Sequence, residues 1–382
     1  MKLAYIVDSE LPSKKANAVH AIRMSTSFVN NGADVTLFCK IQENTDVADA
    51  VSHYGVEQRF KIKAFNPGNE KGLSHKLNIV TDGLKQARNV KAEGPFDYMY
   101  ARARIALFFL RNYRPYMMEA HEWPSNRLLQ YIEKRILSHR NCKGLVVITK
   151  SLKEKYLQEY TFLNPEKVYV LHDGANKAVF HAVKQVIDNS ASVPPDCTIG
   201  YLGHLYPGKC MEIIIQLASL RPKYAFHIAG GTDQWVDHWK QVIRQRKLNN
   251  IILYGYIDNK DVHKWYNAFD VFLLPILTSV QADGGSKRDI GKWTSPIKLF
   301  EAMSYGKAIL VSRVSTLQEV IEEERDGLMA SPNDIEEWAR QLDRLVNDPQ
   351  LRSQLGKAAK EKLEAEYTWD HRASMVMQYL LR

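Results

Sequence analysis

Asp270-Val271-Phe272-Leu273-Leu274-Pro275 and, beyond a loop, Ser295-Pro296-Ile297-Lys298-Leu299-Phe300-Glu301-Ala302-Met303 decide how this chain folds. The first run is continuously apolar, as a strand buried on both faces must be, and the second carries the start signals of a helix. Ser295 suits the N-cap, and Pro296 suits the first helical position, where its missing N–H costs nothing. The amides from Ile297 to Leu299 then stand at the positive end of the helix dipole, an anion site whose natural guest is phosphate. The intervening loop holds Asp283, Gly284, Gly285, Lys287, Arg288 and Asp289. Structureless loops longer than about 12 residues are uncommon in compact domains and tend to be functional.

The same alternation extends outward from this stretch. Upstream lie strand patterns at Cys197–Leu202, Tyr224–Ala229 and Ile251–Tyr254, with a helix from Pro207 to Leu220; downstream come a strand at Ala308–Val311 and amphipathic helix from Asp334 to Glu366. Strands alternating with helices predict a parallel, doubly wound sheet of Rossmann type. The chain begins with a second instance: Lys2–Val7 ended by Asp8 to Pro12, a helix from Ala18 to Asn31, and a strand at Ala33–Cys39. Strand candidates at Arg59–Phe65, Phe96–Tyr100, Tyr116–Glu119, Gly144–Ile148 and Lys167–Leu171 continue it. His181 to Pro195 is aperiodic, ends in two prolines and reads as a linker. At 382 residues the chain has room for two such domains of roughly 150 to 200 residues each.

With 45% hydrophobic and 25% charged residues the composition is that of a soluble globular protein. A secretory signal and a bilayer-length apolar run are both missing, so the expected location is the cytoplasm, including the inner surface of its membrane. Cys39, Cys142, Cys197 and Cys210 lack metal-type spacing, and buried, reduced thiols are expected rather than a zinc site or disulfides. The net charge of +9 favours anionic partners, among them nucleotides and acidic lipid headgroups. No finger, aromatic RNA motif or arginine tail accompanies it, which argues against nucleic acid.

Three further places can carry chemistry. Gly203-His204-Leu205-Tyr206-Pro207-Gly208-Lys209 follows a strand directly; two glycines and a lysine suit close approach to a phosphate, although an ordinary turn with a solvated lysine has the same pattern. This turn and the one before Pro296 both fall on the carboxyl edge of the sheet, where their donors can converge on one diphosphate. Lys298 and Glu301 share a helix face, either as a solvated ion pair or with Lys298 toward phosphate and Glu301 accepting from ribose hydroxyls. His121-Glu122 closes the strand ending at Ala120, again at a carboxyl edge, and Glu119 with Glu122 is a candidate acid/base pair. The first loop, Ser13-Lys14-Lys15-Ala16-Asn17-Ala18, lacks a G-x-G-x-x-G fingerprint.

In their order, these motifs resemble the GT-B glycosyltransferases, specifically retaining enzymes of glycosyltransferase family 4. Gly203 to Lys209 is similar to the family's G-R-L-x-x-x-K turn and Ser295 to Met303 to the second half of its E-x7-E region. Leu171-His172-Asp173-Gly174-Ala175 resembles its N-G-V-D turn, and Tyr367-Thr368-Trp369 the aromatic step before its terminal helix. The resemblance implies two Rossmann-like domains facing a cleft: residues 1–182 on the acceptor side, a linker at 183–196, a nucleotide-sugar domain at 197–366, and 367–382 as a helix crossing back to the first domain. It further implies that Gly203, His204, Lys209, Ser295, Ile297, Lys298 and Glu301 bind the nucleotide diphosphate sugar, with His121 beside the donor sugar. Three departures stand out. His204 replaces an arginine, Trp293 stands where the first glutamate is expected, and Ala16-Asn17-Ala18 replaces a glycine pair. Asp289, or Asp283, is expected to supply the carboxylate that Trp293 lacks.

The activity so implied is transfer of a hexose, with retention, from a UDP-sugar to a saccharide or lipid-linked saccharide, with peripheral contact to an anionic membrane and without cofactor or metal. Nucleotide-sugar epimerisation on a similar fold, and sugar-nucleotide binding without turnover, are the competing functions.

Overall fold

The computed structural model describes residues 1–13, 15–42, 46–67, 74–178, 186–187, 197–209, 211–277 and 291–382, and the chain separates into two compact units. The first comprises Met1–Asp173 with Trp369–Arg382, the second Gly174–Thr368.

The strands of the first unit are β1 (Lys2–Leu11), β2 (Asp34–Ile41), β3 (Lys61–Phe65), β4 (Tyr98–Ala101), β5 (Tyr116–Ala120), β6 (Cys142–Val147) and β7 (Val168–Val170). Its helices are α1 (Ala16–Asn30), α2 (Val47–Ser52), α3 (Ser74–Glu93), α4 (Arg104–Leu110), α5 (Arg127–Leu137) and α6 (Lys150–Glu159). The second unit contributes β8 (Ile199–Leu202), β9 (Phe226–Ala229), β10 (Ile251–Gly255), β11 (Val271–Leu274), β12 (Ala308–Ser312) and β13 (Leu328–Ala330). Between and after them lie α7 (Met211–Leu220), α8 (Asp233–Gln245), α9 (Val262–Ala268), α10 (Ile297–Ser304), α11 (Ser315–Gln318), α12 (Ile335–Asn347) and α13 (Pro349–Glu366). The last helix, α14 (Trp369–Leu381), returns to the first unit and packs on α1 and β6.

Every strand pair is parallel, in the orders β3-β2-β1-β4-β5-β6-β7 and β10-β9-β8-β11-β12-β13. Chain order therefore reverses beside β1 in one sheet and beside β8 in the other, and each reversal opens a crevice at the carboxyl edge. Both sheets are the doubly wound type that the alternation predicts. In β11 the period of two sends Val271 and Leu273 into one apolar cluster and Phe272 and Leu274 into another on the opposite face. β12 divides in the same way, Ala308 and Leu310 against Ile309 and Val311. Helices cover both faces, which is why neither strand alternates with polar residues.

Two local readings are corrected. β1 does not stop at Val7 but runs to Leu11, shifting register between Ile6 and Glu10 so that Glu10 and Leu11 pair with Lys40 and Ile41 of β2. Beyond Val7 one side of the strand opens to solvent, so buried and exposed residues alternate and Asp8 and Glu10 are tolerated where a turn is expected. At α10, Pro296 rather than Ser295 holds the N-cap position, with φ −79° and ψ 115°, and the helix starts at Ile297. The ring fixes φ but leaves ψ free to be extended, and a residue before proline is itself pushed toward extended geometry, which moves the helix start by one. Cys39 is buried, Cys142 and Cys197 are half-buried, and all three are free thiols; Cys210 lies outside the described residues.

Candidate functional site

In the second unit the carboxyl-edge turns are hydrogen-bonded to one another in sheet order. The Gly230 amide after β9 donates to the Gly255 carbonyl at 2.6 Å, the Gly203 amide after β8 donates to Ala229 at 3.0 Å, and the Leu277 amide after β11 donates to Gly208 at 3.0 Å. Ile276 adds a bond to the Ser312 hydroxyl at the end of β12, 2.7 Å. The last two links tie together the lysine turn, the segment that follows β11, and the end of the next strand. Gly230 makes the close approach possible. Its φ is +120°, and a Cβ there would lie 2.1 Å from the Gly203 carbonyl oxygen, so no other residue fits.

Within the lysine turn the Gly208 amide donates to Glu212 Oε1 at 2.9 Å, and the Trp239 indole donates to the Leu205 carbonyl at 2.6 Å. These bonds anchor a turn that buries Leu205 in the core and leaves His204 exposed. His204 is exposed and stacks on Tyr206 with ring centroids 5.4 Å apart, and Lys209 Nζ sits 5.6 Å from the centre of the Tyr206 ring.

On α10, Lys298 Nζ and the Tyr266 hydroxyl both donate to Oε2 of Glu301 at 2.9 Å. Neither of these bonds uses Oε1, and the carboxyl is partly exposed, with 24% side-chain exposure. Tyr266 comes from α9 and stacks on Tyr305, so the carboxylate is aimed by an aromatic pair that the sequence does not signal. Pro296 gives α10 no side-chain cap, Ser295 stands half-buried just before it, and the Leu299 amide closes onto the Pro296 carbonyl at 2.9 Å. Trp293, in the short 3-10 turn Gly291–Trp293, is half-buried. Asp283 and Asp289 lie outside the described residues.

The first unit assembles a different cluster. Oε1 of buried Glu119, on β5, accepts from His121 Nε2 at 2.6 Å and Arg372 Nη2 at 2.8 Å, with His20 Nε2 3.2 Å away. Arg372 also donates to the His172 carbonyl at 2.9 Å and the Leu171 carbonyl at 3.2 Å, fastening α14 to the ends of β5 and β7. Asp173 Oδ1 is 3.5 Å from His20 Nε2. Burial opposes ionisation of Glu119, but Arg372 and the two histidines hold its carboxyl well below the usual range. Burial lowers His20 to about 4 and, with Arg102, takes His121 well below its usual value. Burial raises Asp173 to about 7. Because an ionised carboxylate only accepts, His121 donates from Nε2 and keeps an acceptor lone pair on Nδ1. Glu119 is thus a buried counterion, a different task from the acid/base pairing with Glu122 that the sequence suggests. His20, Glu119 and His121 offer donor atoms within 4.8 Å of one another, the spacing of a metal triad. Arg372 already occupies the Glu119 oxygen, and its permanent charge opposes a second cation there.

Two doubly wound sheets, the second with glycine turns and a helix start gathered at its carboxyl edge, define the class: the GT-B fold. The comparisons agree with it. Residues 184–362 match the family model described as glycosyl transferases group 1, which spans most of the second unit. An uncharacterized glycosyltransferase of Methanocaldococcus jannaschii is 25% identical over 244 residues, 61% of this chain and 58% of the relative. The chain thus spans under two thirds of that relative's length. Among solved structures, sucrose-phosphate synthase from Thermosynechococcus elongatus is similar with a TM-score of 0.73 at 16% identity, over 99% of this chain and 98% of that one. Anabaena HepE in complex with UDP gives 0.69 at 15% identity over 100% of both. At such identities the structural likeness speaks for the fold.

Proposed function

We propose that the protein transfers a hexose from a UDP-sugar to a saccharide or lipid-linked saccharide with retention of configuration. The observation that carries this reading is the Leu277–Gly208 hydrogen bond, which holds the lysine turn against the segment leading to α10. A diphosphate between them is met by Lys209 and by the amides of the first α10 turn, an electrostatic task that a divalent ion serves in other transferases. Glu301, held by Tyr266, accepts from the ribose hydroxyls through Oε1. The bond from the sugar's anomeric carbon to the phosphate oxygen breaks as the acceptor oxygen bonds to that carbon on the same face. The departing UDP takes the acceptor proton, so no protein nucleophile is needed. In the first unit, His121 accepts a hydrogen bond from a sugar hydroxyl through Nδ1.

HepE, which has also been solved with UDP-glucose, supports UDP as the donor nucleotide. A lipid-linked acceptor would bring the protein to the anionic cytoplasmic face of a membrane. The test is UDP release from UDP-hexoses with a panel of acceptors. Lys209→Ala is expected to lower turnover about a hundredfold, the scale of losing one transition-state charge contact. Wild-type turnover in that variant removes Lys209 from the mechanism, and conversion of the UDP-hexose to an isomer without acceptor replaces the transferase by an epimerase.

A further inference from the structure

One face of the first sheet is covered by α3, α4 and α5, packed side by side in that order. These helices contain only three acidic residues, and all are paired: Asp82 with Lys40 at 3.0 Å, Glu93 with Lys63 at 2.9 Å, and Glu133 with Arg104. Lys85, Arg88 and Lys91 on α3 and Arg127, Lys134 and Arg135 on α5 are exposed, with no acidic partner among the described residues. The layer therefore carries its positive charge outward.

The same layer exposes apolar surface. Of the eight large hydrophobic side chains exposed among the described residues, four are here: Ile79 and Val80 on α3, and Leu128 and Tyr131, 66% and 57% exposed, on α5. All four lie in the first two turns of their helices, and each helix starts from the carboxyl end of a strand. Their tips thus share the sheet edge at which ligands of doubly wound domains bind. Apolar helix starts on a face lined by basic residues have the composition of an interfacial anchor, in which apolar side chains enter the headgroup region and lysines and arginines meet anionic lipid.

We propose that the α3–α4–α5 face docks the protein on an anionic lipid bilayer through Leu128, Tyr131, Ile79 and Val80, with the six exposed basic residues on the headgroups. A second copy is a poor occupant, because a twofold contact would set this positive face against itself. Nucleic acid would use the charge but leave the apolar tip in water. The inference shares with the proposed function only its membrane-bound acceptor. UDP binding in solution reads the donor site separately, so either can fail alone.

Co-sedimentation of the full chain with vesicles of phosphatidylcholine, with or without phosphatidylglycerol, tests it. Binding is expected only to the anionic vesicles and is expected to weaken with salt as screening shortens. The triple variant Arg127→Glu, Lys134→Glu, Arg135→Glu is expected to weaken partitioning by about two orders of magnitude. Leu128→Ser with Tyr131→Ser should weaken it with the charge unchanged. A control with the same charge change in the C-terminal half of α8 and its C-cap, Lys240→Glu, Arg244→Glu, Arg246→Glu, should retain binding. The proposal is overturned by no binding to anionic vesicles, by equal loss in the α8 control, by full binding in both α5 variants, or by concentration-dependent self-association that the α5 substitutions abolish.

Discussion

At the carboxyl edge of the first sheet Glu119, Arg372, His20, His121 and Asp173 are folded in on one another, whereas at the same edge of the second sheet Lys209, Lys298 and Glu301 stand half-exposed around glycine turns. The difference follows from where each charge finds its partner. In the first unit a helix from the far end of the chain inserts a guanidinium that neutralises a fully buried carboxylate. In the second the turns are held by backbone bonds, with Glu212, Trp239 and Ser312 adding side-chain bonds, and Lys209, Lys298 and Glu301 are left half-exposed. A buried cluster around a neutralised carboxylate stabilises and positions, while half-exposed charges at a sheet edge can be reached from solvent.

The comparison breaks most severely at Arg372. Arg372→Met strips Glu119 of its counterion and is expected to cost about 3 to 5 kcal/mol, the usual penalty for orphaning a buried charge, measured as the shift in urea unfolding. A loss no greater than that of an exposed pair would make the cluster incidental. Glu301→Ala should leave unfolding nearly unchanged but weaken UDP binding about ten- to a hundredfold by calorimetry, as removal of a charged hydrogen-bond acceptor does. Unchanged affinity in the folded variant would leave Glu301 with only its bonds to Lys298 and Tyr266. The smallest effect is in pH dependence. Asp173, raised to about 7, keeps in the native state a proton that the unfolded chain has already released, so its contribution favours folding on the acid side and is lost as pH rises through about 7. His20, lowered to about 4, acts oppositely: its contribution is present above the ordinary histidine range and is lost as pH falls toward about 4. Asp173→Asn removes the first contribution, and stability between pH 4 and 7 should then rise with pH more steeply by about one proton. An unchanged slope would show that Asp173 ionises normally.

Much of the second unit was legible in the sequence because its signals are local. A buried parallel strand is a continuous apolar run, and a strand-to-helix turn needs glycine, so β8, β11 and the Gly203–Lys209 turn could be placed from residues alone. Lys298 and Glu301 share a face by helical periodicity and do pair. The Gly230-Gly231 turn carries the same kind of signal, with both glycines at positive φ. Tyr266 had none, since its contact with Glu301 joins different helices. The shift of the α10 start to Ile297 was equally invisible, because Pro296 fits both positions and its ψ alone decides.

By itself the sequence determined two alternating α/β halves, the apolar cores with their periods, and the turns at which phosphate chemistry is feasible. These depend on spacing within a few residues. Only the tertiary structure decided that Arg372 neutralises Glu119, that Leu277 closes onto Gly208, and that three helices with their acids paired present one basic, apolar-tipped face. Each of these joins residues far apart in the chain, and which distant charge or amide completes a site is set by sheet order and helix packing rather than by any local pattern.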